Sequence, residues 1–332
     1  MDRPILTDLV PVPRVWQRLA DVERRLFEAT ESQDAFLTDI AQHLLRAGGK
    51  RYRPLLAAVA AELGPNGGPE PVEAGVSVEL VHVGSLYHDD VIDEASSRRG
   101  EVSVNENWSN TIAILAGDFL LARASEVAAP LGEEAVGLVA QTYARLCEGQ
   151  VAELRFSGGL DHGRDGYYQA IGGKTASLIR TSARLGAITA GAPTEAIEAV
   201  SEWAWEMGLV FQMVDDVLDL IADEGFLGKP AGSDIGEGVY TLPVLYAADG
   251  PDGPEIRDLL AGGAPRDRAV IDRVIERTVA GGFVDRVIDE SVEHMRRAEA
   301  ASERIGNAGI RPILRNLDAY VFSRIEQARA GG

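Results

Sequence analysis

The stretch VSVELVHVGSLYHDDVID, residues 76–93, sets the architecture. As far as Tyr87 its apolar side chains fall on every face of a helical projection, so the helix belongs inside a bundle of others. It ends in three aspartates, Asp89, Asp90 and Asp93. Positions i and i+4 share a helix face one turn apart, so Asp89 and Asp93 point together. Two like charges near a helix C-terminus also oppose the helix dipole. At the end of a buried helix the cost grows, because uncompensated charge away from water is expensive. A cationic partner is therefore expected.

The same Asp-Asp-x-x-Asp pattern closes LVFQMVDDVLD (209–219) as Asp215, Asp216 and Asp219. Chance gives one copy in roughly one random chain of this composition in eight, but two in fewer than about one in a hundred. The apolar residues before each copy, Leu80 to Tyr87 and Leu209 to Val214, argue against a merely solvated acidic helix end. Carboxylate clusters without cysteine or paired histidine suit hard divalent cations. Mg²⁺ commonly bridges such carboxylates to substrate phosphates.

The whole chain has 332 residues, with Lys plus Arg 32 and Asp plus Glu 52, a formal charge of −20. That balance argues against nucleic acid, whose phosphates demand a basic surface, and against polybasic adsorption to membranes. Cys147 is the one cysteine, so no intrachain disulfide can form. No run reaches the roughly 18 unbroken apolar residues of a spanning helix. MDRPILTDLVPVPR at the start lacks the apolar core of a secretory signal, and a cytoplasmic location is expected.

Helical patterns dominate. Helices are expected at 16–30, 34–47, 54–63, 71–93, 109–130, 133–156, 165–190 (irregular at Gly172-Gly173), 194–221 and 241–248, with three or four more to Arg329. Residues 1–15 read as a proline-punctuated arm, and 96–103 and 223–238 as loops. The expectation is one all-α domain over 1–332, a single large helical bundle around a deep central cavity. Residues 40–250 carry the motifs and 251–332 the C-terminal helices.

In so acidic a chain the basic groups stand out. GGKRYRP (48–54) joins two helices, Arg98 and Arg99 follow the first cluster, Lys174-Thr175 follow a glycine pair, and Lys229 follows the second cluster. His82 lies two helical turns before Asp89. Singly, a basic loop is usually solvated and a histidine on an apolar helix is usually a core residue. Together with two cation-binding clusters they describe a pocket for more than one phosphorylated group.

These segments, with AILAGDFLLARA (113–124), EGQ (148–150), GGKTASL (172–178), LGKPAGSDI (227–235) and TLP (241–243), resemble in order the trans-polyprenyl diphosphate synthases. The resemblance implies an all-α isoprenoid-synthase fold, a homodimer, and head-to-tail condensation of isopentenyl diphosphate onto an allylic diphosphate. It implies Mg²⁺, three ions per active site with substrate bound, on Asp89, Asp93, Asp215, Asp216 and Asp219, with Asp90 completing the first motif. It assigns Arg98, Lys174, Lys229 and Gln212 to the allylic diphosphate. Gly49, Lys50, Arg53, His82 and Arg99 fall to the isopentenyl diphosphate site, and Thr175 to stabilisation of the allylic cation. The two clusters are expected to face each other across the cavity.

One position departs from the pattern: Val239 stands where many members carry a lysine, followed by Tyr240. Just before the first cluster, Gly84 and Ser85 are small where short-chain members place an aromatic. A growing tail is expected to pass there, giving a product of C20 or more, with Phe119, Leu120 and Leu146 as guesses for the floor. Alternatives in the same class are a geranylgeranyl or farnesyl diphosphate synthase, a head-to-head synthase, or a class I terpene synthase. The last has no need of the GGKRYRP loop. A non-catalytic partner subunit would be expected to lose aspartates. A di-iron bundle would use Glu-x-x-His pairs, of which only Glu79-x-x-His82 occurs.

Overall fold

The computed structural model describes residues 3–227 and 230–331. Its one strand pairing among these residues is a two-residue antiparallel ladder, and nearly everything else is helix. The chain divides into two compact units, Met1–Ala144 with Leu178–Ser201 and Arg304–Ile313, and Arg145–Ser177 with Glu202–Glu303 and Leu314–Gly332.

In the first unit the helix Glu70–Ile92 is central, packed by the helices Pro13–Ala29, Tyr52–Ala60 and Asn110–Ala128. Its Val76, Val78, Leu80, Val81 and Val83 are all buried, as an apolar run on every face requires. Each such side chain withdrawn from water contributes about 1.5–3 kcal/mol. The helix Pro13–Ala29 instead buries one stripe, Val15, Leu19, Val22 and Leu26. Ser109 caps Asn110–Ala128 by accepting from the Ile112 N–H at 3.2 Å.

In the second unit Gly163–Ile171 leads into a π-helical turn, Gly172–Ala176, at the expected irregularity. The turn lies hard against the helix Glu133–Phe156: a Cβ on Gly149 would come within 2.4 Å of the Lys174 nitrogen, and one on Gly173 within 2.7 Å of the Arg145 carbonyl oxygen. Only glycine allows that approach. The helix Thr194–Ile221 carries the second aspartate cluster, and four helices follow Leu242–Ala248.

Four local expectations are corrected. The N-terminal arm is helical over Arg3–Leu9, its prolines falling at or beyond the helix ends. The helix expected over 34–47 is two, Ala35–Ala41 and His43–Arg46. Residues 96–103 contain a hairpin, Ser97–Arg98 against Glu101–Val102. The loop 223–238 contains the short helices Glu224–Leu227 and Ser233–Glu237. Lys229 lies outside the described residues.

Candidate active site

Asp93 closes the helix Glu70–Ile92 as its C-cap, its N–H donating to the Asp89 carbonyl at 2.8 Å. Asp90 is one position, about 100° of helix rotation, away from Asp89, and so turns inward. It is fully buried, and its Oδ1 accepts from Arg98 Nε at 2.6 Å and Nη2 at 2.6 Å. Oδ2 is buried and has no hydrogen-bond partner among the described residues. Burial pushes the Asp90 carboxyl up, and the Arg98 charge and hydrogen bond oppose this. The hairpin explains how two consecutive arginines part company. Its turn residues, Arg99 and Gly100, have φ of 57° and 80°, the signature of a two-residue turn that matches strand twist. Arg98 then reaches Asp90, while Arg99 donates to the carbonyls of Leu44, at 3.1 Å, and Gly48.

The GGKRYRP loop builds a basic cluster in the same unit. Gly48 and Gly49 take φ of 81° and 154°, and the Arg99 guanidinium lies 3.0 Å from where a Gly49 side chain would begin. Arg51, itself left-handed at φ 47°, is buried and structural. Its Nε donates to Glu23 Oε1 at 2.6 Å and its Nη1 to Glu79 Oε1 at 3.0 Å. Arg99 Nη2 approaches the same Glu79 oxygen at 4.0 Å. Burial raises the Glu79 carboxyl, with Arg51, Arg99 and Arg53 opposing.

Glu23 and Glu79 answer Arg51, so Arg53 and Arg99 leave an excess of positive charge in a partly desolvated place. Burial pushes Arg53 down to about 10, and its buried Nε has no partner among the described residues. Burial, then the charges of Arg53 and Arg99, push the His82 imidazole well below its ordinary value, so it is neutral there. Lys50 is exposed. The structure thus brings Gly49, Arg53, His82 and Arg99 near one another. It adds Arg51 and Glu79, which sequence reasoning did not single out as their supports. Glu79 faces guanidinium groups, which removes the di-iron alternative.

In the second unit Thr175 Oγ1 donates to Gln212 Oε1 at 2.9 Å, and Gln212 Nε2 donates to Asp216 Oδ1 at 2.9 Å. The Tyr167 hydroxyl donates to Asp216 Oδ2 at 2.6 Å. Both oxygens of Asp216 are therefore engaged. Burial raises its carboxyl well above the usual range, and Asp234 adds to this while the two donors oppose it. Asp219 is buried, its Oδ2 accepting from the Asp234 N–H at 3.4 Å. Asp215 Oδ1 meets Arg324 Nη1 at 2.5 Å, and Lys174 Nζ meets Glu153 Oε1 at 2.6 Å. Tyr167, Glu153 and Arg324 were missed. Tyr167, seven residues before Lys174, carried a legible signal only in being an aromatic with a polar tip beside a motif.

A family model described as polyprenyl synthetase matches residues 34–278. The chain belongs to the polyprenyl synthetase family. It is 41% identical over 268 residues to a nonaprenyl diphosphate synthase of Mycobacterium tuberculosis, covering 80% of each chain. It is 36% identical over 307 residues to a heptaprenyl diphosphate synthase component 2 of Geobacillus stearothermophilus, covering 92% of this chain and 95% of that one. A crystal structure of a polyprenyl synthase from Caulobacter crescentus, complexed with calcium and isoprenyl diphosphate, superposes with a TM-score of 0.86 at 31% identity over 96% of both chains.

In this polyprenyl synthetase the expected tail passage needs a correction. A Cβ on Gly84 would come within 3.1 Å of the Gly117 carbonyl oxygen and 3.2 Å of Leu121 Cγ. Gly84 is small because two helices cross closely there, and that face is filled. Ser85, four positions before Asp89, stays on the aspartate face, its Oγ donating to the His82 carbonyl at 2.9 Å. Of the residues guessed as a floor, Leu120 and Leu146 are buried, and Phe119 lies under the Arg123 guanidinium, 5.2 Å from its ring centroid. Among the described residues no three acidic or imidazole side chains converge as an ion-binding group on their own. No helix of the described residues is long and apolar enough to cross a membrane.

Proposed function

We propose that this polyprenyl synthetase condenses isopentenyl diphosphate head to tail with an allylic diphosphate, in a metal-dependent reaction, to give a trans-polyprenyl diphosphate of C20 or longer. The observation that carries the reading is the desolvated surplus of cation at Arg53 and Arg99 beside neutral His82, in a chain whose two aspartate clusters each end a buried helix. That cluster accounts for a second diphosphate, which a terpene cyclase does not need.

The donor set fits Mg²⁺: oxygen alone, with Asp89 and Asp93, and Asp215 and Asp219, each one turn apart. Asp89, Asp93, Asp215 and Asp219 would hold the ions. Bound Mg²⁺, three ions with substrate present, supplies charge to the departing diphosphate. Asp90, whose Oδ1 is committed to Arg98, and Asp216, whose oxygens are committed to Tyr167 and Gln212, hold neighbouring groups in place.

The reaction breaks the allylic C–O bond, and the electron pair leaves with the diphosphate. Lys174, Lys229 and Arg98 stabilise the negative charge growing there. Lys50, Arg53, His82 and Arg99 hold isopentenyl diphosphate so that its double bond attacks the allylic carbon. Positioning supplies much of the acceleration. A proton then leaves the carbon beside the new cation, restoring a double bond, and the released diphosphate accepts it. Val239 in place of a lysine leaves the allylic diphosphate to the remaining cations.

Ile114 and Leu115 on the helix Asn110–Ala128 are 44% and 57% exposed, and Val151 and Leu154 on Glu133–Phe156 are 54% and 53%. Such apolar exposure supports a homodimer in a protein that works in the cytoplasm. Incubation with isopentenyl diphosphate, Mg²⁺ and a panel of allylic primers, with the products sized, tests the reaction. No prenyl product with any primer overturns it. A sole C15 product overturns the chain length.

A further inference from the structure

The hydrogen bonds around Asp216 have a direction, and the direction ends at the hydroxyl assigned to the cation. Gln212 sets its Nε2 against Asp216 Oδ1, donating at 2.9 Å. The amide oxygen then faces Thr175 and takes its hydroxyl proton at 2.9 Å. A hydroxyl has one proton, so what Thr175 can still present is its lone pairs. Tyr167 fixes the far end, donating to the other Asp216 oxygen at 2.6 Å. The π-helical turn Gly172–Ala176 carries Thr175, and such turns re-aim single side chains.

We infer that Tyr167, Asp216 and Gln212 form a polarity-setting chain that holds Thr175 with its oxygen lone pairs, rather than its proton, toward the allylic cation. The inference rests on the function proposed above and adds Tyr167 as a positioning residue. Tyr167 touches no substrate atom in this account. It acts on the ionisation step through Asp216 and Gln212. A hydroxyl left to rotate would offer its proton to the cation part of the time and raise the barrier.

The test is a double-mutant cycle on the full-length enzyme. Tyr167→Phe removes one oxygen and keeps the ring. It is expected to lower kcat roughly tenfold, with KM for both diphosphates within about twofold, as lost orientation does. Thr175→Val is expected to lower kcat by about a hundredfold, the scale of a lost electrostatic group. The double variant is expected to match Thr175→Val alone, because Tyr167 has nothing left to orient.

If Tyr167→Phe costs the same factor in both backgrounds, or raises KM while leaving kcat intact, the chain is overturned. Should Tyr167→Phe fail to fold by circular dichroism, Gln212→Leu breaks the same chain at another link. The same absence of additivity with Thr175→Val is expected, and additivity overturns the inference. Wild-type enzyme that makes no prenyl product sinks the proposed function itself. Active wild type with additive variants sinks only this chain.

Discussion

Nη1 of Arg324, on the last helix, lies 2.5 Å from Oδ1 of Asp215, the first residue of the second aspartate cluster. The Arg324 Cζ also stands 5.9 Å from the ring centroid of Phe211. The guanidinium supplies the countercharge that a carboxylate in this acidic neighbourhood requires. A metal ion taking the same oxygen must displace it. Part-exposed pairs of this kind are worth about 0.2–1 kcal/mol. Arg324→Gln is therefore expected to tighten divalent-metal binding roughly two- to fivefold. Manganese binding followed by electron paramagnetic resonance, without substrate, measures this directly. Unchanged or weaker binding would count against Asp215 as a ligand.

The first cluster separates two roles that its sequence writes identically. Asp89 lies on the face shared with Asp93, whereas Asp90 is fully buried on Arg98. Asp89→Ala is expected to lose on the order of 10²–10³ in turnover, as removal of a key electrostatic group does, with thermal stability retained. Asp90→Ala leaves the Arg98 guanidinium without its carboxylate and is expected to cost about 1–3 kcal/mol of stability. Product formation and thermal melts on both variants check the contrast. Near-wild-type turnover of Asp89→Ala with Mg²⁺ would refute its assignment.

What the sequence made legible was local. A helix apolar on every face told its own burial, the paired aspartates told their own faces, and Gly172-Gly173 marked the turn that is π-helical. What escaped it depends on partners far along the chain. Arg51 reads as one more cation of a basic loop, yet its charge is spent on Glu23 and Glu79, each 28 positions away. Arg324 and Asp215 are 109 positions apart, and Tyr167 and Asp216 are 49. No helical period encodes such pairings. Gly84 misled for the same reason: a small side chain reads as open space until the neighbouring helix is known to fill it.

Asp318 carries a pH dependence of its own. Its Oδ1 accepts from the Trp203 indole N–H at 3.0 Å, and burial pushes the carboxyl up to about 8, with that hydrogen bond opposing. In the unfolded chain an aspartate titrates near ~3.9. Between those values the folded state holds a proton that the unfolded state releases. Stability from this group is thus full below ~4 and falls as pH rises toward about 8. Asp318→Asn keeps an acceptor for Trp203 and removes the titration. Its melting temperature is expected to vary less with pH and to exceed wild type in the alkaline range. A wild-type profile that rises through that window would contradict the assignment.

Product length separates Ser85 from its neighbour Gly84. Ser85 shares the helix face of Asp89, four positions on, so a bulky group there stands where a tail would leave the aspartates. Ser85→Phe is expected to shorten the product toward C15–C20 with the first condensation little changed, as judged by chromatography of the dephosphorylated prenols. Gly84→Phe has a different consequence. Its added atoms meet the Gly117 carbonyl oxygen and Leu121 within 3.1 and 3.2 Å at the first carbon alone. Overpacking of that kind costs about 1–3 kcal/mol or more and separates two helices. Loss of stability, rather than a shorter product, is expected for Gly84→Phe. A full-length product from folded Ser85→Phe would place the tail on another face of the helix.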